Sequence, residues 1–497
     1  VSSSNSELNQ YNFINVFDPS VKFMRARKNG LWTSPFDPSE VNFNYTEANS
    51  WQYSLYAPHS VGILQDLIGG KKKFENWLDL LFTTNSKLEG RHQVDITGLI
   101  GQYAHGNEPS HHMAYLYNYT DSPEKTQEYT DQIFREMYSN QPDGLSGNED
   151  CGQMSSWYVL SAMGIYQIAP GNPYYDFGRP LMDEVTIYLE NKKKFKIIAR
   201  NNSEKAMYIQ SITLNGVNID RKYISHEEIM AGGVLEFRMG TKINKEYRNY
   251  EHAPTLSAYP ENFVPVPFFT NTSPVFEDSI LVDLSIVNPS KHQILYKIEK
   301  TRWRPFHEPF YISTNTHISA KGQTNKFESS LINQDFIKLD KTVTLKLNTT
   351  YAEQYSAGGE NALIDGVHGK SEYRTGDWQG YSGEDFEAII TFDKPRIINS
   401  VQVGFLEDMN AWIFNPKEVS IEISTDGINY ISQDKILIDP TSKEKMTPNF
   451  NKINLKVESV QPILNVRIKA LNFGVCPDWH LGAGGKTWMF LDEIVCE

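Results

Sequence analysis

The segment NEDCGQMSSWYVLSAMGIY, Asn148 to Tyr166, decides how the first third of the chain is read. Its second half, QMSSWYVLSAMGIY, is apolar nearly all round, which predicts an inner, fully buried helix. Its first half crowds Asn148, Glu149, Asp150 and Gln153 at the mouth of that helix. A helix N-terminus favours an anion, so Asp150 is expected in a place that keeps a carboxylate ionised. Acidic residues mostly sit in solvent, so a polar cluster heading a buried helix is a candidate site.

Two further segments repeat the pattern. In NYTEANSWQY, Glu47 stands among Tyr45, Trp51 and Tyr53 just ahead of a helix. In GQYAHGNEPSHHMAYLYNY, His105, Asn107, Glu108, His111 and His112 crowd together. In a barrel of paired helices the inner helix ends converge, so the three clusters predict one shared pocket. Glycoside hydrolysis needs an acid for the leaving oxygen and a base or nucleophile opposite it. Apolar surroundings raise a carboxyl pKa and suit Glu47 as the acid, while a dipole-stabilised Asp150 suits the base. Either carboxylate taken alone reads more readily as an ordinary helix-end residue. HGNEPSHH does not match HExxH, and Pro109 breaks the helix a zinc site needs. A hard-cation site through Asn107 and Glu108 oxygens fits better.

The bulk properties agree with a sugar ligand. The 497 residues suit about three domains. A net charge of -14 argues against nucleic acid or an anionic membrane, and an aromatic fraction of 12% suits stacking on a neutral polyol. The 3 cysteines, Cys151, Cys476 and Cys496, form no disulfide framework or zinc spacing, although Cys476 and Cys496 could pair if their strands are neighbours. No apolar run is long enough to span a membrane. The chain opens at Val1 without initiator Met or signal peptide, so upstream processing or a missing part is expected.

Residues 1 to about 170 read as helices and loops, with SWQYSLYAPHSVGILQDLIG, KKKFENWLDLLFT and SPEKTQEYTDQIFREMY as helices. Beyond that the pattern alternates as in strands, and Asn215-Gly216 signals a hairpin. The Pro-rich stretch His252 to Phe269 reads as a linker. The expected divisions are 1–250, a catalytic part with trailing strands; 251–347, a small β spacer; and 348–497, a β module of sandwich or jelly-roll type.

YTEANSWQY, DITGLIGQYAHGNEPSHHMAYLYNYT and MYSNQPDGLSGNEDCGQMSSWYVLSAMGIYQIAPGNPYYDFG together resemble glycoside hydrolase family 92, the calcium-dependent exo-α-mannosidases. The resemblance covers about residues 15 to 245. It implies an N-terminal β-sandwich joined to an (α/α)6 barrel and an inverting mechanism, with calcium on the mannose 2- and 3-hydroxyls. It maps Glu47 to the general acid and Asp150 to the general base. Many relatives carry a further Asp two positions before the base; Asn148 stands there, so Asp150 is expected to act alone. Asn107 and Glu108 resemble the metal and +1 subsite segment, and His105, Gln153 and Trp51 join them as expected substrate contacts. About six helices are legible, roughly half of such a barrel. The chain is therefore expected to hold part of the enzyme and to be inactive or unstable without the missing N-terminal half.

From about residue 350, ALIDGVHG, GDWQGYSGEDFEAIITFD, VGFLEDMNAWIFNPKEVSIEISTDG and FGVCPDWHLGAGGKTWMFLDEI resemble a discoidin-like domain, similar to carbohydrate-binding module family 32. Such modules accompany glycosidases of Bacteroidota. The resemblance places a structural calcium at Asp365 and Glu493 and a sugar platform at Trp378, Trp412 and Trp479. The middle unit resembles an Ig-like spacer. The expected fold is thus multidomain α plus β: part of an (α/α)6 barrel with trailing strands, an Ig-like sandwich and a discoidin-like jelly roll. The expected protein acts on mannose-containing glycans outside the cytoplasm, as a secreted, periplasmic or cell-surface enzyme, with Ca2+ as cofactor. The rival readings are another (α/α)6 glycosidase of glucoamylase type and a non-catalytic carbohydrate-binding protein.

Overall fold

A computed structural model describes residues 7–438 and 447–497. The chain divides into two compact units. The first takes in the described residues up to Ala26, Pro35–Pro265 and Thr324–Ser329; the second takes in Arg27–Ser34, Val266–Gln323 and Ser330–Glu497.

The first unit mixes helices with sheets. Helix α1 (Ser50–Tyr53) opens on a capping box: Asn49 accepts from the Trp51 amide, and Gln52 reaches back to the Asn49 amide. The single helix expected over Ser50–Gly69 is broken, because Pro58 starts a 3-10 turn (Pro58–Ser60) before α2 (Val61–Ile68). Gly69, at φ 112°, closes α2 in the left-handed region. Next come α3 (Lys71–Thr83), α4 (Glu124–Met137) and α5 (Gln153–Ala162). Pro123 stands at the N-cap of α4.

Helix α5 departs from expectation. Met154, Trp157, Ser161 and Ala162 are buried, but Ser155 and Ser156 are exposed and Val159 is 54% exposed. In this unit α5 packs one face rather than its whole circumference.

The trailing strands form a five-stranded sheet in the order Glu184–Tyr188, Lys194–Arg200, Gly233–Gly240, Tyr208–Leu214, Val217–Asn218. The Asn215-Gly216 hairpin is present, with φ 52° and 80°, and a short helix α6 (His226–Ala231) precedes Gly233–Gly240. Phe195, Ile197, Ile212, Leu235 and Phe237 form its core.

The second unit begins with a borrowed piece of chain. Arg27–Lys28 and Leu31–Trp32 form a hairpin across Asn29 (φ 51°) and Gly30 (φ 93°), and Leu31 pairs in parallel with Phe269. A Cβ on Gly30 would lie 2.7 Å from Ile332 Cδ1, so the turn needs glycine for space as well as for conformation. This hairpin groups with the second unit, well before the division expected near residue 250. Leu31, Phe269, Ile318 and Phe336 share one apolar core.

The C-terminal part is an antiparallel sandwich. One sheet runs Val343–Leu347, Phe386–Arg396, Ile463–Leu471, Glu418–Ser424, Ile431–Leu437; the other runs Gln379–Ser382, Trp488–Cys496, Ser400–Glu407, Asn449–Lys456. Inward residues of both, among them Phe386, Ile390, Val403, Phe405, Ile468 and Leu491, make one apolar core. Cys476 and Cys496 are both free: Cys476 is buried beside Met409 and Phe414, so the pairing considered from sequence does not form.

Candidate active site

The three polar clusters do come together. Asn107 Nδ2 donates to Glu47 Oε2 at 2.9 Å. The Glu108 carboxyl lies within the influence of both Asp150 and Glu47. Burial, then those two neighbouring carboxylates, raise it above the usual carboxyl range, against the pull of its own backbone hydrogen bond. Glu47 and Glu108 are half-buried and Asp150 is exposed, so the group faces solvent.

Two glycines explain how two of these loops meet. A Cβ on Gly147 would lie 2.6 Å from Gly106 O, and one on Gly106 would lie 3.0 Å from Ser146 O. Backbone therefore touches backbone where HGNE meets SGNED, leaving no room for a side chain. A connecting segment braces all three clusters: Gln93 Oε1 accepts from the Ala48 amide at 2.8 Å, Asp95 Oδ1 accepts from Asn148 Nδ2 at 3.0 Å, and Thr97 O accepts from the Gly106 amide at 3.0 Å. No sequence signal singled out Gln93 or Asp95, because their role is to hold other loops.

Asp150 is positioned differently from expectation. Helix α5 starts at Gln153, and the carboxylate capping it belongs to Glu149, which accepts from Ser155 N at 3.0 Å and Ser155 Oγ at 2.8 Å. Asp150, Cys151 and Gly152 instead form a left-handed bend at φ 45°, 57° and 91°. Glu149 serves the helix, and Asp150 is turned out of it.

Several expected substrate contacts lie in the interior. His105 has no exposed surface; its Nδ1 bonds Tyr103 OH and its Nε2 bonds Tyr138 OH, both at 2.7 Å. Burial holds it well below the usual imidazole range and therefore neutral. Its polarity is satisfied within the core, so it offers nothing to a sugar. Trp51 is also buried, against Phe23 and Trp77, and its indole N–H reaches Ser39 Oγ at 3.3 Å. Gln153 is half-buried and bonds His111 Nδ1 at 3.2 Å. His111 and His112 are both pushed down to about 4 by burial.

Among the described residues, no group of three or more His, Cys, Asp or Glu is disposed to hold a metal ion. At the carboxylate cluster, Asn107 and Glu108 offer the oxygen donors a hard cation prefers, as one carboxylate and one amide. In the C-terminal sandwich, Glu493 is 6% exposed, and its Oε2 has no hydrogen-bond partner among the described residues. Burial and then the Asp365 carboxylate push Glu493 up to about 9, and burial pushes Asp365 up to about 6. An orphaned buried oxygen beside a second carboxylate fits a cation.

Of the three tryptophans expected as a platform, Trp378 is a core residue: it is 1% exposed, with its indole N–H on Lys370 O at 2.9 Å. Trp412 is 40% exposed and Trp479 half-buried. They flank the buried His480 at ring distances of 6.1 and 5.9 Å.

Residues 8–241 match the model of the glycosyl hydrolase family 92 catalytic domain. An uncharacterized secreted glycosidase of Arthroderma benhamiae is 29% identical over 197 residues, 39% of this chain and 23% of that protein. The family GH92 α-mannosidase BT3965 from Bacteroides thetaiotaomicron is 37% identical, covering 49% of this chain and 32% of that one, at TM-score 0.45. CpGH89CBM32-5 from Clostridium perfringens is 15% identical, covering 31% of this chain and 94% of that one, at TM-score 0.21. The chain thus spans about a quarter to a third of the glycosidases it matches. No helix among the described residues is long and apolar enough to cross a membrane. Glu47, Glu108 and Asp150 all lie within the stretch that matches the glycosyl hydrolase family 92 catalytic domain.

Proposed function

We propose that this stretch is the catalytic side of an exo-acting α-mannosidase that releases mannose from glycans with inversion. One observation supports it best: three carboxylates distant in sequence share one solvent-facing site, and one of them, Glu47, is held by an amide. On this reading α1–α5 are part of an (α/α)6 barrel.

In the mechanism, Glu47 donates a proton to the glycosidic oxygen, its carboxyl oriented by Asn107. Asp150, at the tip of its left-handed bend, takes a proton from the attacking water. Glu108 lies within reach of both and contacts the sugar on the leaving-group side. Asn107 and Glu108 oxygens would hold a calcium ion, which when bound supplies Lewis-acid contact to the vicinal mannose hydroxyls and favours a flattened ring. The interactions proposed for Glu47 and Asp150 strengthen as the bond breaks, which is what accelerates a reaction. The C-terminal sandwich would bind sugar through Trp412 and Trp479 and hold a structural calcium at Asp365 and Glu493. The protein would act outside the cytoplasm.

The test is mannose release by the mannosidase carrying this segment, followed by NMR. β-Mannose should appear first. Glu47→Gln and Asp150→Asn should each lower the rate by at least about a hundredfold, in line with general acid–base contributions. Glu47→Gln should lose less on aryl mannosides with good leaving groups. Unchanged rates in either variant would overturn its role.

A further inference from the structure

A cavity of about 500 Å³ opens in the first unit, and none of Glu47, Glu108 or Asp150 lines it. Its wall includes Lys71, Asp121, Lys222, Arg248, Glu251 and His252. Lys222 is the unusual member, because a lysine that is 2% exposed is rare without a partner.

The backbone fixes Lys222 from both sides: its amide donates to Glu251 O at 2.7 Å, and its carbonyl accepts from the Phe177 amide at 2.8 Å. The ammonium is poorly satisfied. Among the described residues it has one hydrogen bond, to Arg248 O at 3.4 Å, although it carries three donors. Two of the carboxylates nearby are engaged elsewhere. Asp121 pairs with Lys71 at 2.6 Å, and Glu124 pairs with Arg248. Asp176 is buried nearby, where its Oδ2 accepts from Tyr119 OH at 3.2 Å, and burial pushes it up to about 8. Burial, then the Lys71 charge, lower Lys222 to about 8. Two neutralised ion pairs and one incompletely bonded ammonium thus meet at one cavity.

Burying an ammonium without compensation is costly, and an oxygen-rich anion removes the cost by accepting its free N–H groups. We propose that this cavity is a binding site for a small oxyanion of the phosphate class, seated on Lys222 Nζ with Lys71 and Arg248 at its rim. The site is separate from the mannosidase chemistry and stands whether or not that reading holds.

Inorganic phosphate titrated against the protein at constant ionic strength should give a saturable rise in melting temperature. It should also protect Lys222 from acetylation, read by peptide mass spectrometry. Lys222→Met should abolish the response. Lys71→Met, at the solvent-facing rim, should weaken it about tenfold. A hexose phosphate in place of inorganic phosphate shows whether the anion comes free or on a sugar. An equal response to neutral mannose, no saturable response in the unmodified protein, or no change in Lys222 acetylation would overturn the proposal. The acetylation readout needs no variant, so misfolding of Lys222→Met leaves the test intact.

Discussion

The Asn107 side chain donates from Nδ2 to Glu47 Oε2 at 2.9 Å, across 60 residues of sequence. On the proposed mechanism, this bond leaves Glu47 Oε1 as the oxygen that carries the proton. Asn107→Ala should lower mannose release about tenfold or more while leaving the unfolding midpoint nearly unchanged. Combined with Glu47→Gln, it should add little further loss, since both substitutions remove the same oriented group. A double-mutant cycle on kcat measures this, and full additivity would contradict it.

Gly147 and Gly106 touch backbone to backbone, with 2.6 Å left for any added carbon. Gly147→Ala must push the Glu108 and Asp150 loops apart. Activity should fall by more than tenfold, with a stability loss of about 1–3 kcal/mol from overpacking. Denaturant unfolding and initial rates check the two effects separately.

His112 donates from Nε2 to Leu55 O at 2.9 Å and is held neutral at about 4, as is His111. Their folded pKa values lie below the unfolded value of about 6.5. The unfolded chain therefore binds more protons between these limits. The two histidines should therefore contribute stability that is fully present above pH 6.5 and is lost as pH falls toward 4, about 3 kcal/mol each at about 1.4 kcal/mol per unit. Melting curves across this window test it, and His112→Gln should flatten the slope.

Glu493 Oε2 lacks a partner among the described residues while its neighbour Asp365 is also a carboxyl. Calcium should raise the melting temperature of the C-terminal sandwich and a chelator should reverse the rise. Glu493→Gln should remove the calcium response yet leave the chelated protein about as stable, because without the ion burial already holds the Glu493 carboxyl uncharged. Calorimetry with and without calcium gives both numbers.

Trp412 and Trp378 should separate by phenotype. Trp412→Ala, at an exposed ring, should weaken glycan binding with little effect on stability. Trp378→Ala, in the core, should cost about 3–5 kcal/mol. Glycan-array binding and chemical unfolding distinguish the two.

Much of the secondary structure was legible because it is local. The Asn215-Gly216 turn and the alternating strands beside it carry their own signal. The Asn29-Gly30 turn carries the same signal but escaped notice, since its strands are two residues each and its partner, Phe269, is 238 positions after Leu31. The carboxylate cluster was legible as residue types but not as a mechanism of assembly: Gln93, Asp95 and Thr97 hold it through single bonds. The burial of His105 is not legible in sequence, because its satisfying partners, Tyr103 and Tyr138, look like any core aromatics. Helix α5 was overestimated because a short apolar run does not reveal that two serines and Val159 face out. Lys222 gave no signal at all, since burial is a tertiary property.

Both proposed catalytic carboxylates sit at left-handed bends: Ala48, at φ 56°, follows Glu47, and Asp150 is itself at φ 45°. Non-glycine residues hold this conformation at a cost of roughly 1–2 kcal/mol each. Glycine would relax the backbone at position 150, yet it is also the residue that deletes the base. Selection for thermostability alone would therefore drive this position away from activity, and stabilised variants of this fold should be screened for turnover as well as melting temperature.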